Sequence, residues 1–224
     1  MTMITVVGNL KGGCGKSTVA FNLSVLLAHL EVPVVSFDLD PQATLSDVNE
    51  VRLEEGVQPE VRVLRPESDP GRVLRQHEGE IIVDVGASNL WAMRQAIGMA
   101  DRILIPVPPS QADVWSTQRF LDIISETTGK QGRVPEIILF INRADTHPGL
   151  KESDETAEAL HALDGLRVSP HRLGQRTAFR RSFSEGRAVF ELTATGKATE
   201  ELLALAGELY PTLDVNGWNH KKKG

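Results

Sequence analysis

The chain has 224 residues, of which 41% are hydrophobic and 24% are charged, and its formal net charge is −6. This length suits one α/β domain with a sizeable buried core. The negative charge argues against a polycationic protein but leaves local basic patches open. The single cysteine, Cys14, excludes an internal disulfide and a cysteine-ligated iron–sulfur cluster, and no apolar run reaches the length of a membrane-spanning helix.

Apolar runs of strand length alternate with helical patterns along the chain. The runs are nearly continuous in apolar residues, which is typical of parallel strands covered on both faces. They lie at residues 3–7, 33–37, 80–85, 102–107 and 136–141, with a further candidate at 61–64. Helical patterns follow at residues 19–30, 113–127, 152–163 and 192–209. This alternation predicts a doubly wound α/β fold with a mainly parallel sheet and helices on both faces.

The domain is predicted to cover residues 1–213 as a single unit. Residues 50–80 are rich in Glu, Pro, Arg and Gly, and we place them in the same domain. Residues 214–224 are polar and end in Lys-Lys-Lys-Gly, so we expect a disordered tail.

A glycine-rich loop lies between the first strand and the first helix. Glycines let backbone N–H groups turn toward an anion, and the positive end of the following helix points to the same place. Lys16 can reach the β- and γ-phosphates of a nucleotide, Ser17 can hold Mg²⁺, and Thr18 can donate to the α-phosphate. The strict P-loop pattern is not met, because Leu10 stands where the first glycine would be. The predicted nucleotide-binding residues of this loop are Gly12, Gly13, Cys14, Gly15, Lys16, Ser17 and Thr18.

Three carboxylates follow predicted strands at the edge where ligands bind in open α/β sheets. Asp38 and Asp40 come after the second strand, and their alternate positions let both face the phosphates. Asp84 ends an apolar run in the manner of a Walker B acid, which supports Mg²⁺. The predicted magnesium site therefore comprises Ser17, Asp38 and Asp84. For Asp38, a helix-capping role is the alternative.

The loop string Lys-Gly-Gly-x-Gly-Lys-Ser and the string Asp-Leu-Asp-Pro-Gln resemble the deviant Walker A ATPases of the ParA/MinD family, and the short ParA form most closely. The resemblance implies a Mg²⁺-dependent ATPase that binds ATP between two copies of the chain. It implies that Lys11 reaches the partner's phosphates, that Lys16 acts within its own site, and that Asp40 orients the attacking water. Val85-Gly86-Ala87-Ser88 follows Asp84 where many relatives have Thr-Pro-Pro, so the details of this segment stay open.

The same resemblance extends to the base site. It implies that Asn142 contacts the adenine edge and that Pro170 lies in the adjoining adenine loop. An amide both donates and accepts, which suits adenine, although a helix-capping role for Asn142 is the alternative. The residues after Asn142 do not complete the Asn-Lys-x-Asp pattern of GTP-binding proteins, which favours ATP.

Residues 167–187 carry six arginines and one acid, Glu185. Such a concentration of charge can bind phosphate backbones without sequence preference. The predicted DNA-binding residues are Arg172, Arg176, Arg180, Arg181 and Arg187. The alternative is that these arginines form internal ion pairs with the acidic stretch at 152–164.

The resemblance implies an ATP-dependent homodimer that binds DNA non-specifically and positions or segregates a cargo. A plasmid, a chromosome region or a carboxysome would be such a cargo. A ParB-like or other adaptor would stimulate hydrolysis and reset the dimer. We expect a cytoplasmic, nucleoid-associated protein without integral membrane contact. The alternatives are a MinD-like membrane-associated spatial regulator and a metabolic P-loop ligase of the dethiobiotin synthetase type.

Overall fold

The computed structural model describes residues 2–66, 70–74, 76–129, 132, 134–147, 149–163 and 165–218. Within these ranges the strands form a sheet in the order β3-β2-β4-β1-β5-β6-β7, with β8 paired to β6, and all pairs are parallel. The strands are β1 (Met3–Gly8), β2 (Val34–Asp38), β3 (Arg62–Leu64), β4 (Glu80–Val85), β5 (Arg102–Val107), β6 (Glu136–Ala144), β7 (Arg167–Val168) and β8 (Leu173–Gly174).

Helices cover both faces of this sheet. They are α1 (Lys16–His29), α2 (Thr44–Glu54), α3 (Pro70–Leu74), α4 (Leu90–Met99), α5 (Gln111–Gly129), α6 (Glu152–His161), α7 (Thr177–Ser184), α8 (Val189–Leu192) and α9 (Lys197–Leu209). Successive strand residues point to opposite faces, so Val6 and Val7 belong to two separate cores. One core packs under α1, α2, α8 and α9, and the other packs under α4, α5 and α6. The predicted doubly wound α/β fold is confirmed.

The helix predicted at 192–209 begins five residues later in the structure, after a break that follows the last residue of α8. α8 ends at Leu192, and α9 begins at Lys197. Thr193 is extended between them, and its carbonyl oxygen accepts a hydrogen bond from the Thr199 hydroxyl at 2.7 Å. Threonine has a hydroxyl that competes for backbone partners, and Gly196 precedes α9, so the chain breaks where the sequence pattern predicted continuity.

Residues 214–218, which follow the predicted domain boundary at residue 213, pack against the core of the domain. Val215 and Trp218 are buried in the core beneath α1 and α9, with 8% and 2% of their surface exposed. The Trp218 ring lies 4.7 Å from that of Phe190, measured between centroids. Two apolar side chains three residues apart anchor this segment, despite its polar composition. Residues 219–224, the remainder of the predicted tail, lie outside the described residues.

Candidate functional site

The glycine-rich loop presents free backbone donors at the start of α1. Gly13 and Gly15 have φ angles of 72° and 94°, in the left-handed region that glycine adopts without strain. Gly15 caps α1, and neither a capping side chain nor an acid occupies the first turn of this helix. The first N–H groups of α1 therefore have no capping side chain and are available to an anion.

The two lysines of the loop lie in different environments. Lys16 is buried, and its Nζ donates to the carbonyl oxygen of Lys11 at 3.0 Å. The side chain thus curls across its own loop, where the phosphates of a nucleotide would lie. Lys11 is exposed, which agrees with a residue that serves a partner, although that role remains a prediction.

Asn9 is a residue of the site that the sequence analysis missed. It is fully buried, and its Nδ2 donates to the Pro106 carbonyl oxygen at 3.0 Å and to the Thr117 hydroxyl at 3.3 Å. Its Oδ1 accepts from the backbone N–H of Lys11 at 3.2 Å. Asn9 therefore ties the start of the loop to β5 and α5. A polar residue that directly follows a buried strand was the available signal.

Asp84 is the most unusual group of the site. Its side chain is completely buried, and neither carboxylate oxygen has a hydrogen-bond partner among the described residues. Burial raises the pKa of Asp84 to about 7. The Ser17 hydroxyl, which lies close to the carboxylate although outside full hydrogen-bond geometry, lowers the pKa most among the neighbouring groups; the charges of Asp38 and Asp40 raise it, and that of Lys16 lowers it. Buried carboxylates normally have partners, so this one suits a cation.

Magnesium fits these residues. Mg²⁺ is usually held by one or two carboxylates together with waters and phosphates of the substrate, rather than by a cage of protein ligands. The described ranges contain no cluster of three or more His, Cys, Asp or Glu that would form such a cage. The unpartnered Asp84 and the hydroxyl of Ser17 would therefore hold the ion.

The structure gives Asp38 the helix-capping role. Its Oδ2 accepts from the backbone N–H and the hydroxyl of Ser46 in the first turn of α2, at 2.9 and 2.8 Å. Its Oδ1 accepts from the N–H of Asp40 at 3.1 Å. The carboxylate thus fixes the loop that carries Asp40, and support of Mg²⁺ by Asp38 stays a prediction.

Beside these groups lies a cavity of about 630 Å³, a volume in the range of small-ligand sites, whose lining does not include Lys11, Asp38 or Asp84. Of the predicted residues, the lining includes Gly12, Gly13, Gly15, Lys16, Ser17, Thr18, Asp40 and Asn142. Cys14 is buried behind the lining. Pro170 is exposed and does not line the cavity, whereas Leu173, Gly174 and Gln175 do, and its place in an adenine loop stays a prediction.

Comparison with known proteins agrees with this geometry. The CobQ/CobB/MinD/ParA nucleotide-binding domain model matches residues 5–189. The chain belongs to this family. It is 30% identical over 212 residues to the maintenance of carboxysome distribution protein A of Halothiobacillus neapolitanus, covering 92% of this chain and 95% of that protein.

Two solved structures share the fold of this family member. Apo McdA from Cyanothece has a TM-score of 0.73 and 22% identity, covering 92% of this chain and 100% of that one. The septum site-determining protein MinD of Pyrococcus horikoshii, complexed with Mg-ADP, has a TM-score of 0.69 and 18% identity, covering 93% and 96%. No helix in the described ranges of this chain is long and apolar enough to cross a membrane.

Asn142 braces the phosphate loop as well as lining the cavity. Its Nδ2 donates to the carbonyl oxygen of Cys14 at 2.6 Å. A Cβ at Gly15 would lie 2.2 Å from the same nitrogen, so glycine is required there for contact as well as for backbone conformation. The amide therefore links the end of β6 to the loop that binds phosphate.

The arginine-rich segment is largely paired with acids. Arg172 pairs with Asp154 at 2.6 Å, as the ion-pair alternative predicted, and Arg181 pairs with Glu185 at 2.8 Å. The remaining pairs join Arg176 to Glu201 and Arg167 to Glu136 and Glu208. Arg180 and Arg187 form no ion pair with any described residue. Arg176 and Arg180 also line the cavity, so the predicted DNA-binding set does not form one free surface.

Proposed function

We propose that this family member is a Mg²⁺-dependent ATPase of the ParA type. The observation that carries the proposal is the buried, unpartnered carboxylate of Asp84 beside a phosphate loop with a buried lysine. A carboxylate in that state is costly unless a cation accompanies it, and a nucleotide phosphate brings one. The Mg-ADP bound by the structurally similar MinD supports this assignment.

The residues of the site have different roles in the proposed hydrolysis. Mg²⁺ held by Ser17 and Asp84 would neutralise charge on the phosphates. Lys16 and the N-terminus of α1 bind and orient the phosphates, and catalysis rests mainly on such positioning and charge stabilisation. Asp40, which lines the cavity, orients the attacking water. Lys11 is exposed and free to contact the phosphates bound by a second copy of the chain.

Asn142 favours adenine at the base site. With one N–H committed to the Cys14 carbonyl oxygen, the amide has a fixed orientation. Its remaining donor and its oxygen can pair with the adjacent acceptor and donor of adenine. Guanine presents an acceptor where adenine has its amino group, so ATP is the preferred nucleotide.

The ATP-bound dimer is proposed to bind DNA non-specifically and to position a cargo in the cytoplasm. The name of the carboxysome-distribution relative makes a carboxysome, or another assembly positioned on the nucleoid, the leading cargo. A ParB-like or other adaptor would stimulate hydrolysis and release the dimer. Arg180 and Arg187 are the cations best suited to contact DNA, because they lack acidic partners within the described residues.

The test is DNA binding at low and high salt with ATP, ADP and no nucleotide. Wild type is expected to bind only with ATP, and Lys11→Ala is expected to lose this binding. The double variant Arg180→Ala, Arg187→Ala should lower the slope of log affinity against log salt by about 2 per protomer, because each arginine that neutralises a DNA phosphate adds close to 1 to that slope.

Arg172→Ala is the matched control, since its guanidinium already pairs with Asp154, and it should leave the slope unchanged. Equal binding in all three nucleotide states would contradict the ATP switch. A slope unaltered in the double variant would contradict the assignment of the two arginines.

A further inference from the structure

The segment after β4 touches the carboxylate of Asp40. A Cβ added to Gly86 would lie 2.1 Å from Oδ2 of Asp40 and 2.2 Å from its Cγ, which is far inside van der Waals contact. A side chain at position 86 and the observed position of Asp40 therefore exclude one another. Gly86 does not have a positive φ, so its backbone conformation alone would accept alanine.

Hydrogen bonds hold the same carboxylate from two sides. The Ser88 hydroxyl donates to Oδ1 of Asp40 at 3.4 Å, and the backbone N–H of Gln42 donates to the same oxygen at 3.0 Å. The Arg65 guanidinium donates to the Asp40 carbonyl oxygen at 3.3 Å. The loop after β2 is thus joined to the loop after β4 through one side chain.

This contact lies at the cavity. Asp40, Gln42, Ala87 and Ser88 all line it. Strands β2 and β4 are neighbours, with Asp38 opposite Asp84 in their register, so the two loops leave the sheet side by side. The carboxylate of Asp40 is therefore fixed at the edge of the sheet that also holds the buried acid Asp84.

We propose that Gly86 and Ser88 are positioning residues for Asp40: Gly86 leaves the space that the carboxylate occupies, and Ser88 fixes its orientation. This inference rests on the proposed ATPase function and on the role of Asp40 in orienting water. It assigns a role in positioning Asp40 to the segment Val85-Gly86-Ala87-Ser88, where this chain departs from the Thr-Pro-Pro of many relatives.

The test combines single-turnover phosphate release with equilibrium ATP affinity. Gly86→Ala is expected to lower turnover by about 10²-fold, because displacing a reacting group by about 1 Å has that effect. ATP affinity should stay within about twofold of wild type, since Gly86 itself contacts Asp40 rather than the phosphate loop. Gly129→Ala is the matched control: a Cβ there meets no atom within 4 Å, and turnover should not change.

Ser88 provides a second, milder variant. Ser88→Ala should lower turnover by about 3- to 10-fold, the effect of one hydrogen bond. Ser88→Thr keeps the hydroxyl and should restore turnover. Combining Gly86→Ala with Asp40→Ala should give no further loss beyond Asp40→Ala alone, because both changes remove the same oriented carboxylate.

The outcomes separate this inference from the proposed function. If Gly86→Ala and Ser88→Ala turn over like wild type while Asp40→Ala does not, the positioning role is overturned and the ATPase assignment stands. A further loss in the double variant, or a parallel loss of ATP affinity, also overturns the positioning role. Wild-type turnover by Asp40→Ala removes the proposed catalytic role of Asp40 and the positioning inference with it.

Discussion

Two buried carboxylates of this protein have opposite protonation behaviour. Asp84 has no hydrogen-bond partner among the described residues, and burial raises its pKa to about 7. Burial also acts on Glu191, but hydrogen bonds from Arg52 and His29 outweigh it and lower the pKa to about 2. Arg52 donates to both oxygens of Glu191, at 2.7 and 2.8 Å, and His29 lies 2.6 Å from one of them.

The difference teaches that partners, rather than burial, distinguish a structural acid from a functional one. Glu191 joins α8 to α1 through His29 and to α2 through Arg52, so its charge is satisfied within the fold. Asp84 lies near the end of β4, opposite Asp38, and lacks such partners among the described residues. A buried acid without partners lowers the free energy of unfolding of the ligand-free protein. A bound cation would offset that loss.

The largest effect on stability is expected from breaking the ion pair between Glu191 and Arg52. Glu191→Gln leaves the fully buried Arg52 guanidinium without its carboxylate, which should lower the free energy of unfolding by about 3–5 kcal/mol. Urea unfolding at pH 7 measures it. Glu126→Gln is the control, because that carboxylate pairs with Arg94 but is 61% exposed, and it should cost less than about 1 kcal/mol. Equal losses would refute the structural role of Glu191.

A loss at the lower end of the same range is expected at Trp218, which packs against His29, a hydrogen-bond partner of Glu191. Trp218 packs against Phe190 and His29, with ring centroids 4.7 and 6.4 Å away. Trp218→Ala should destabilise the protein by about 3 kcal/mol through the cavity it leaves. Trp115→Ala, at a site where the ring is 56% exposed, should change stability by no more than about 0.5 kcal/mol. Equal unfolding midpoints for Trp218→Ala and Trp115→Ala would show that residues 214–218 do not contribute to stability.

A smaller effect of opposite sign is expected at Asp84. Asp84→Asn removes a buried charge without partners and should raise the free energy of unfolding of the nucleotide-free protein by about 1–3 kcal/mol at pH 8. The change should be accompanied by loss of Mg²⁺-dependent ATP turnover. Destabilisation at pH 8 would show that the carboxylate is already compensated without a ligand.

The pH dependence of stability should separate the two acids. The folded pKa of Asp84 lies above its ordinary value of 3.8, so the unfolded state releases its proton first and stability falls as pH rises from about 4 to about 7. The folded pKa of Glu191 lies below its ordinary value of 4.5, so its contribution is lost as pH falls from about 4.5 to about 2. Unfolding at a series of pH values should show each slope disappear in the corresponding variant.

The smallest effect is expected at Asn142, a polar group that is partnered and also lines the cavity. Asn142→Ala removes the brace on the Cys14 carbonyl oxygen and should weaken ATP binding by about 0.5–1.5 kcal/mol, or about 2- to 10-fold in Kd. Titration calorimetry with ATP and with GTP measures both affinity and selectivity. An unchanged ratio of ATP to GTP affinity would argue against base recognition by this residue.

The strands and the phosphate loop could be predicted because their signals are local. Each long strand is a continuous apolar run, and the order of glycines and lysines in the loop specifies its chemistry. The capping bond from Asp38 to Ser46 and the ion pairs of the arginines are not local in this sense. Arg176 meets Glu201 and Arg167 meets Glu208, 25 and 41 residues further along the chain, so a count of charges within 167–187 overstated the free basic surface. The burial of Trp218 could not be predicted either, because its neighbours in the sequence are polar.

The most direct measurement is the thermal unfolding midpoint with ATP, in the presence of Mg²⁺ and in the presence of EDTA. At a ligand concentration of about 100 times Kd, binding stabilises the folded state by about 2.7 kcal/mol. For a chain of this size that raises the midpoint by about 5–10 °C. We predict this rise for wild type with Mg²⁺ and ATP, a much smaller rise with EDTA, and no difference between the two conditions for Asp84→Asn. Equal rises for wild type with Mg²⁺ and with EDTA would contradict the assignment of Asp84 as an acid that supports the nucleotide-bound cation.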